Sequence, residues 1–350
     1  MIFTHSTLIA GILLAIVAGI MNGLFTLPMK YLGRWSWENV WAIFILVSCI
    51  AMPAVIARIT VPSLGNVLAI SPAHSIVVAC MAGFAWGFGA IMFGQGISAI
   101  GISMGNTLVL AISASLGSLL PILVLAPERL HHLQGILILC GAFIGVIGIV
   151  CCGYSGLLKE RAQQSGPRGT RRQMVGYARP FGIGLLLCAG AGLLSAVFNI
   201  GYSVAQPVLA AAHRLGYSAF SGSNLIWLLM LTSGAVPNLC FCGYLFRKNR
   251  SWRKYALAGS GPLYLLSAVM GLLWGGNTFV YGLASPKLGR LGPAIGWPLT
   301  LIAGLITANI VGFMSGEWDL TGMKERRWML LGILVLLAAI ATLGWSSALT

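Results

Sequence analysis

The chain is dominated by apolar runs of about 20 residues separated by short polar breaks. A helix of that length crosses a hydrocarbon core of about 30 Å, so each run predicts a membrane-spanning helix. The weakest break lies at 98–104, and counts of nine or eleven spans also fit the pattern. Ten spans are favoured, and we predict them at 7–29, 38–58, 75–97, 102–125, 133–153, 181–205, 221–246, 262–284, 291–315 and 328–348.

The basic residues are distributed unevenly between the two sets of loops. Of the 21 Lys and Arg residues, sixteen fall in the loops that follow odd-numbered spans. Because cytoplasmic loops are enriched in Lys and Arg, this asymmetry predicts a multi-pass protein with both termini in the periplasm. The basic segment 155–180 is then a cytoplasmic loop, which either only sets the topology or also contacts anionic lipid head groups.

Composition excludes a soluble protein and disfavours an enzyme. Charged residues make up 8% of the chain, hydrophobic residues 58%, and the mean hydropathy is +0.92, whereas soluble domains are about 25% charged. All six acidic residues fall in loops or at span ends, so no catalytic pair, metal site or cofactor site is predicted. The net charge of +15 follows from the basic loops and needs no nucleic-acid partner.

The chain contains an internal repeat at an offset of 188 residues. Segment 155–180 separates five predicted spans in 1–154 from five in 181–350. An odd number of spans per half makes equivalent helices run in opposite directions, and such inverted repeats are typical of secondary transporters. The matching pairs are Gly83 with Gly271, Trp86 with Trp274, Gly87 with Gly275, Phe93 with Tyr281, Gly94 with Gly282 and Gly101 with Gly289.

The span interiors carry neutral polar and aromatic residues. A polar group without a partner in hydrocarbon is costly, so these side chains face one another, water or a ligand. Interhelical hydrogen bonding is the alternative for any single asparagine. Amides beside aromatic rings suit an uncharged sugar better than a carboxylate or phosphate, and we predict that the substrate is bound by Asn22, Trp86, Asn199, Trp274, Asn277, Tyr281 and Trp297.

Other residues are predicted to lie at the cytoplasmic boundary. Lys30 and Glu38 flank the first predicted cytoplasmic loop, where they form either an ion pair that opens with a gate or two independent boundary charges. Tryptophans at such boundaries are typical membrane-interface anchors. That role is predicted for Trp35, Trp37, Trp41, Trp252, Trp318 and Trp328.

Several motifs resemble the L-rhamnose–proton symporter family of the drug/metabolite transporter superfamily. The most specific are Trp35-Ser36-Trp37-Glu38 and Gly101-Ile102-Ser103-Met104-Gly105. The others are Pro28-Met29-Lys30, Trp86-Gly87, Leu158-Lys159-Glu160-Arg161, Leu194-Ser195-Ala196, Asn238-Leu239-Cys240-Phe241-Cys242, Trp274 and Gly316-Glu317-Trp318.

This resemblance implies ten helices in two inverted five-helix repeats, and proton-coupled uptake of a deoxy sugar across a bacterial inner membrane. Proton coupling requires a titratable group that responds to the transport cycle. Only Glu38, Glu317 and Asp319 are placed for it, all near the predicted cytoplasmic side. An uncoupled carrier, an exporter of a metabolite or drug, and a receptor without transport are the alternatives.

Overall fold

The computed structural model describes residues 5–25, 27–100, 102–125, 127–164, 180–289, 292–314, 318, 321–347 and 349. These residues form helices and turns, with no β-strand among them. The α-helices are α1 (His5–Leu24), α2 (Trp37–Ile45), α3 (Met52–Thr60), α4 (Leu64–Ile70), α5 (Ala73–Ile100), α6 (Ile102–Leu125), α7 (Leu133–Gln164), α8 (Phe181–Val204), α9 (Gln206–Arg214), α10 (Ala219–Asn249), α11 (Gly261–Ala284), α12 (Gly292–Met314) and α13 (Met323–Ser347).

The helices confirm an all-α membrane protein. Within the described ranges, nine helical segments are long and apolar enough to cross a bilayer. The segment Trp37–Thr60 combines α2 and α3. Helix α6 coincides with the fourth predicted span, and its described apolar part is Leu108–Gly117. The count of ten spans therefore stays a prediction.

Three features of the fold differ from the simple pattern of spans and loops. The second span changes to a π-helical turn at Leu46–Ala51, just before Pro53, which has no N–H to donate to the preceding turn. The connections after α3 and α8 contain the short helices α4 and α9. Helix α7 continues to Gln164, so the start of the predicted loop 155–180 is helical.

The packing places helices from the two ends of the chain against each other. Helix α1 packs on α11 and α12, α5 packs on α8 and α10, and α7 packs on α13. Helix α6 contacts α8, α7 and α12, while α11 also contacts α2. The middle of the molecule is consequently built from both halves of the sequence.

Candidate functional site

Two tryptophans from opposite halves of the chain stack in the middle of the molecule. Trp86 of α5 and Trp274 of α11 have ring centroids 4.9 Å apart and an interplanar angle of 18°. Both residues lie near the midpoint of their helices. Offset stacking of this kind is favourable for aromatic rings, so the two predicted site residues form one contact.

Glycines allow the neighbouring helices to approach this pair closely. A methyl group on Gly83 of α5 would overlap the backbone oxygen of Met230 in α10. A methyl group on Gly271 of α11 would lie 3.0 Å from the backbone oxygen of Phe44 in α2. Small residues serve such backbone approaches in membrane helices, and here they hold α5 against α10 and α11 against α2.

Further aromatic rings extend from the tryptophan pair toward the start of α2. Trp274 contacts Phe44 at 5.8 Å, Phe44 contacts Trp41 at 4.8 Å, and Trp41 stacks on Trp37 at 4.8 Å. Trp35 is 4% exposed and Trp41 is 7% exposed. The prediction that these two are membrane-interface anchors is therefore wrong, because their rings pack inside the protein.

The other predicted anchors have different surroundings. Trp318 is also buried, stacked on Phe313 at 4.7 Å with the Lys159 ammonium 4.7 Å from the indole centroid. Trp252 is 58% exposed, as an anchor requires. Position in sequence alone did not separate these two environments.

In the opposite direction, the rings extend through Phe198 to a second aromatic group. Phe198 lies 5.1 Å from Trp86, 5.7 Å from Trp227 and 6.4 Å from Trp297. Tyr281 contacts Trp297 edge to face at 5.6 Å. Sequence reasoning missed Trp227, which lies among apolar residues of α10 although Asn224 is only three positions earlier.

Asn199 of α8 joins three other helices. Its Nδ2 donates to the Gly117 oxygen of α6 at 2.9 Å and to the Pro293 oxygen of α12 at 3.1 Å. Its Oδ1 accepts from the Tyr281 hydroxyl of α11 at 2.7 Å. The side chain is 0% exposed, so in this conformation it is engaged entirely with protein groups.

Trp297 is held by a short chain of hydroxyl groups. The indole Nε1 donates to the Ser113 hydroxyl at 3.2 Å, and the Ser113 hydroxyl donates to Ser195 at 2.9 Å. A methyl group on Gly117 would lie 2.5 Å from Trp297 Cδ1. The ring is therefore fixed between α6, α8 and α12.

The remaining two predicted asparagines lie in less demanding places. Asn277 is 8% exposed and donates from Nδ2 to the Trp274 oxygen within its own helix. Asn22 of α1 faces α12, where a methyl group on Gly304 would lie 3.0 Å from Asn22 Nδ2. The structure thus brings Trp86, Trp274, Tyr281, Asn199 and Trp297 into one connected group.

Glu38 lies in a separate polar cluster where α2 begins. It is 3% exposed and accepts hydrogen bonds at Oε1 from Asn249 Nδ2, at 2.9 Å, and from the Ser251 hydroxyl. Asn39 Nδ2 donates to the Ser251 backbone oxygen at 3.0 Å. These bonds connect the start of α2 with the end of α10, a pairing that the pattern of residues along the chain did not predict.

Tyr255 completes the polar cluster. Its hydroxyl donates to the Asn39 backbone oxygen at 2.9 Å. Burial, followed by the nearby Cys242 and Tyr264, raises the pKa of Tyr255, so the phenol remains a donor. Of the other predicted coupling residues, Glu317 and the side chain of Lys30 lie outside the described residues, and the Lys30–Glu38 ion pair remains a prediction.

Together the fold and the site define a polytopic helical membrane protein, in which buried amides, hydroxyls and indoles from both halves of the chain meet. The model of the family described as L-rhamnose-proton symport protein (RhaT) matches residues 4–348. The chain therefore belongs to this family of transporters and is not an enzyme.

Curated relatives agree with the family match. The chain is 28% identical to the L-rhamnose-proton symporter of Yersinia pestis (strain Pestoides F), over 98% of this chain and 99% of the relative. It is also 28% identical to the L-rhamnose-proton symporter of Mannheimia succiniciproducens, over 98% and 99% of the two chains. The similarity thus extends over nearly the full length of both proteins.

Proposed function

We propose that this protein imports L-rhamnose together with protons by alternating access. The observation that carries the proposal is the uncharged aromatic centre around Trp86 and Trp274, because it suits a pyranose. Among the described residues, Glu38 is the one charged side chain that is buried, and it lies outside this centre. Indole faces offer apolar surface for the C–H groups and methyl group of a 6-deoxy sugar, while amides and hydroxyls suit its O–H groups.

We propose further that the spans number ten and form two inverted repeats. Helix α6 has 24 residues, about 36 Å of helix, which is enough to cross the bilayer as the tenth span. The first repeat is 1–154 and the second is 181–350. Equivalent helices are then α1 and α8, α2–α3 and α10, α5 and α11, α6 and α12, and α7 and α13.

The packing supports this equivalence because contacts recur with the two halves exchanged. Helix α5 packs on α8 and α10, and its equivalent α11 packs on α1 and α2. Helix α6 packs on α8, and its equivalent α12 packs on α1. A pair of equivalent residues in mutual contact must lie near the axis that relates the halves, which is the position we assign to Trp86 and Trp274.

The same equivalence relates two predicted asparagines. Asn22 of α1 faces Gly304 of α12, and Asn199 of α8 binds the oxygen of Gly117 in α6. Asn199 is fully buried, whereas Asn22 is partly exposed. With both termini in the periplasm, Asn199 is on the periplasmic side, and we interpret this conformation as closed toward the periplasm.

We assign proton coupling to the Glu38 cluster. Its carboxylate receives two hydrogen bonds that connect α2 with the end of α10 and with Ser251. Protonation would remove the charge that strengthens both bonds, and would weaken this connection between the two halves. Lys30 and Glu317 are further candidates at the same membrane boundary.

The proposed location is a bacterial inner membrane with both termini periplasmic. The positively charged loops are cytoplasmic, with segment 155–180 near anionic lipid head groups. No nucleic-acid partner is part of the proposal.

The test is uptake of labelled L-rhamnose by proteoliposomes with and without an imposed proton gradient. We expect accumulation that follows the gradient and is abolished by an uncoupler. Uptake that ignores the gradient would leave an uncoupled carrier. Absence of uptake for L-rhamnose and other 6-deoxy sugars would overturn the proposed substrate class.

A further inference from the structure

A stacked pair of rings on the proposed periplasmic side carries two buried polar groups that have no hydrogen-bond partner among the described residues. They are the Tyr202 hydroxyl of α8 and the Trp227 Nε1 of α10, and both side chains are 0% exposed. Their rings stack at 4.5 Å with an interplanar angle of 11°. Leaving such groups unpaired in an apolar interior costs several kcal/mol. Here two such groups lie side by side on one stacked pair of rings.

The surroundings of this pair are polar but uncharged. The side chains of Gln206, Ser285 and Ser223 lie near the Tyr202 hydroxyl, although none of them has the geometry of a hydrogen bond to it. The Tyr281 ring lies 5.6 Å from Tyr202 and 5.9 Å from Trp227. We name Tyr202, Trp227 and Tyr281 the outer aromatic cluster.

Helix α11, which carries Tyr281, covers the indole N–H of Trp227 in the present conformation. A methyl group on Gly282 would overlap Trp227 Nε1 and would lie 3.0 Å from the Ser223 hydroxyl. A ligand can therefore reach the indole N–H only after α11 moves away from α10. This is the behaviour of a binding site that closes behind its substrate.

The corresponding positions at the other end of the molecule have different chemistry. Phe93 is the repeat equivalent of Tyr281. If Asn22 is equivalent to Asn199, then Phe25, three residues on, is equivalent to Tyr202. The Phe44 backbone oxygen lies against Gly271 of α11 as the Met230 backbone oxygen lies against Gly83 of α5. Counting three residues back from each makes Trp41 the equivalent of Trp227. The two phenylalanines carry no hydroxyl.

The remaining counterpart, Trp41, is already satisfied. Its Nε1 donates to the Asn238 oxygen at 2.9 Å. The outer aromatic cluster thus has unpaired donors, whereas its three equivalent residues at the other end do not. The repeat alone does not explain this difference, which points to a ligand at the outer cluster.

We propose that the outer aromatic cluster recognises the hydroxyl groups of the neutral sugar as it enters from the periplasm. The Trp227 N–H donates to one sugar oxygen, and the Tyr202 hydroxyl pairs with another. This inference rests on the proposed function for the identity of the sugar and the side of entry. It adds Tyr202 and Trp227 to the residues that determine specificity.

The test is Tyr202→Phe, which removes the hydroxyl and keeps the ring that stacks on Trp227. The control is Tyr217→Phe, whose hydroxyl lies 2.6 Å from the Ser63 hydroxyl and outside the cluster. We expect Tyr202→Phe to raise the external KM for L-rhamnose about tenfold, equal to about 1.4 kcal/mol. Its melting temperature should not fall, because the hydroxyl it removes is unpaired.

A series of monodeoxy L-rhamnose analogues separates direct contact from a structural effect. We expect one analogue to bind the wild type weakly and to bind Tyr202→Phe no more weakly than L-rhamnose does. An equal loss for all analogues would overturn the contact. Unchanged KM in Tyr202→Phe would also overturn it, and would mean that the unpaired groups hold water only.

The wild type distinguishes failure of this inference from failure of the proposed function. If the wild type transports L-rhamnose and Tyr202→Phe does so equally well, only the assignment of the cluster fails. If the wild type instead binds another neutral sugar, the proposed substrate fails and the variants are compared with that sugar. If no neutral sugar raises the melting temperature of the wild type, both proposals fail.

Discussion

Asn199→Ala tests how the periplasmic half of the molecule is held closed. The substitution removes three hydrogen bonds, to Gly117, Pro293 and Tyr281. Side-chain hydrogen bonds inside membrane proteins average about 0.6 kcal/mol, so three contribute roughly 2 kcal/mol. The buried Tyr281 hydroxyl also loses its acceptor, which costs about 1–3 kcal/mol.

A loss of roughly 3 kcal/mol from the closed state corresponds to an increase on the order of 100-fold in the ratio of open to closed molecules. The matched control is Asn309→Ala, since Asn309 Nδ2 donates at 2.9 Å to the Leu305 oxygen of its own helix. That bond joins no two helices, and its loss should change the opening equilibrium by less than about 0.5 kcal/mol.

The measurement combines melting temperature in detergent with labelling of a cysteine introduced as Ser203→Cys. Ser203 is 1% exposed and lies one turn beyond Asn199 on α8. We expect an impermeant maleimide added from the periplasmic side to label the Ser203→Cys protein faster when Asn199→Ala is also present. The same protein without the introduced cysteine gives the background labelling. Equal labelling and melting in Asn199→Ala and Asn309→Ala would refute the reasoning.

Three further predictions concern the centre and the cytoplasmic boundary. Gly83→Ala should destabilise the protein by about 1–3 kcal/mol and so lower its melting temperature, because the added methyl group meets the α10 backbone. Gly243→Ala should not, since none of the described atoms lies within 4 Å of its added methyl group. Equal melting of the two variants would contradict the close approach at Gly83. Trp274→Ala and Asn277→Ala should each raise the KM for L-rhamnose about tenfold while membrane insertion stays intact; unchanged affinity in both would remove them from the site. Glu38→Gln keeps an acceptor for Ser251 but not the charge, so uptake should lose its dependence on the proton gradient while sugar binding remains; full gradient dependence would exclude Glu38 from coupling.

The sequence predicted the positions of the helices well because the length of an apolar run is a direct measure of membrane span. It also paired Trp86 with Trp274 as equivalent positions, although only the structure showed them in contact. Partners across helices could not be predicted, since surfaces facing lipid and surfaces facing protein are both apolar. Trp227 was missed for this reason, and Trp41 was assigned to the membrane interface when its indole in fact bonds to Asn238.

The amides show a second limit of sequence reasoning. Asn199 and Asn277 have the same side chain and were predicted for the same role. Asn199 joins four helices, whereas Asn277 folds back onto the Trp274 oxygen one turn earlier. Which of these occurs depends on how closely the neighbouring backbones approach, and that distance is set by residues far away in the sequence.

The exchange of helices between the two halves has a consequence for biosynthesis. Helix α1 ends at Leu24, yet the helices it packs on are α11 and α12, and α12 begins at Gly292. At synthesis rates of about 5–20 residues per second, α1 waits roughly 15 to 50 s in the bilayer before these partners exist. The first helices therefore insert long before they can pack, and their glycine-rich faces must stay free of other proteins until the ribosome has nearly finished the chain.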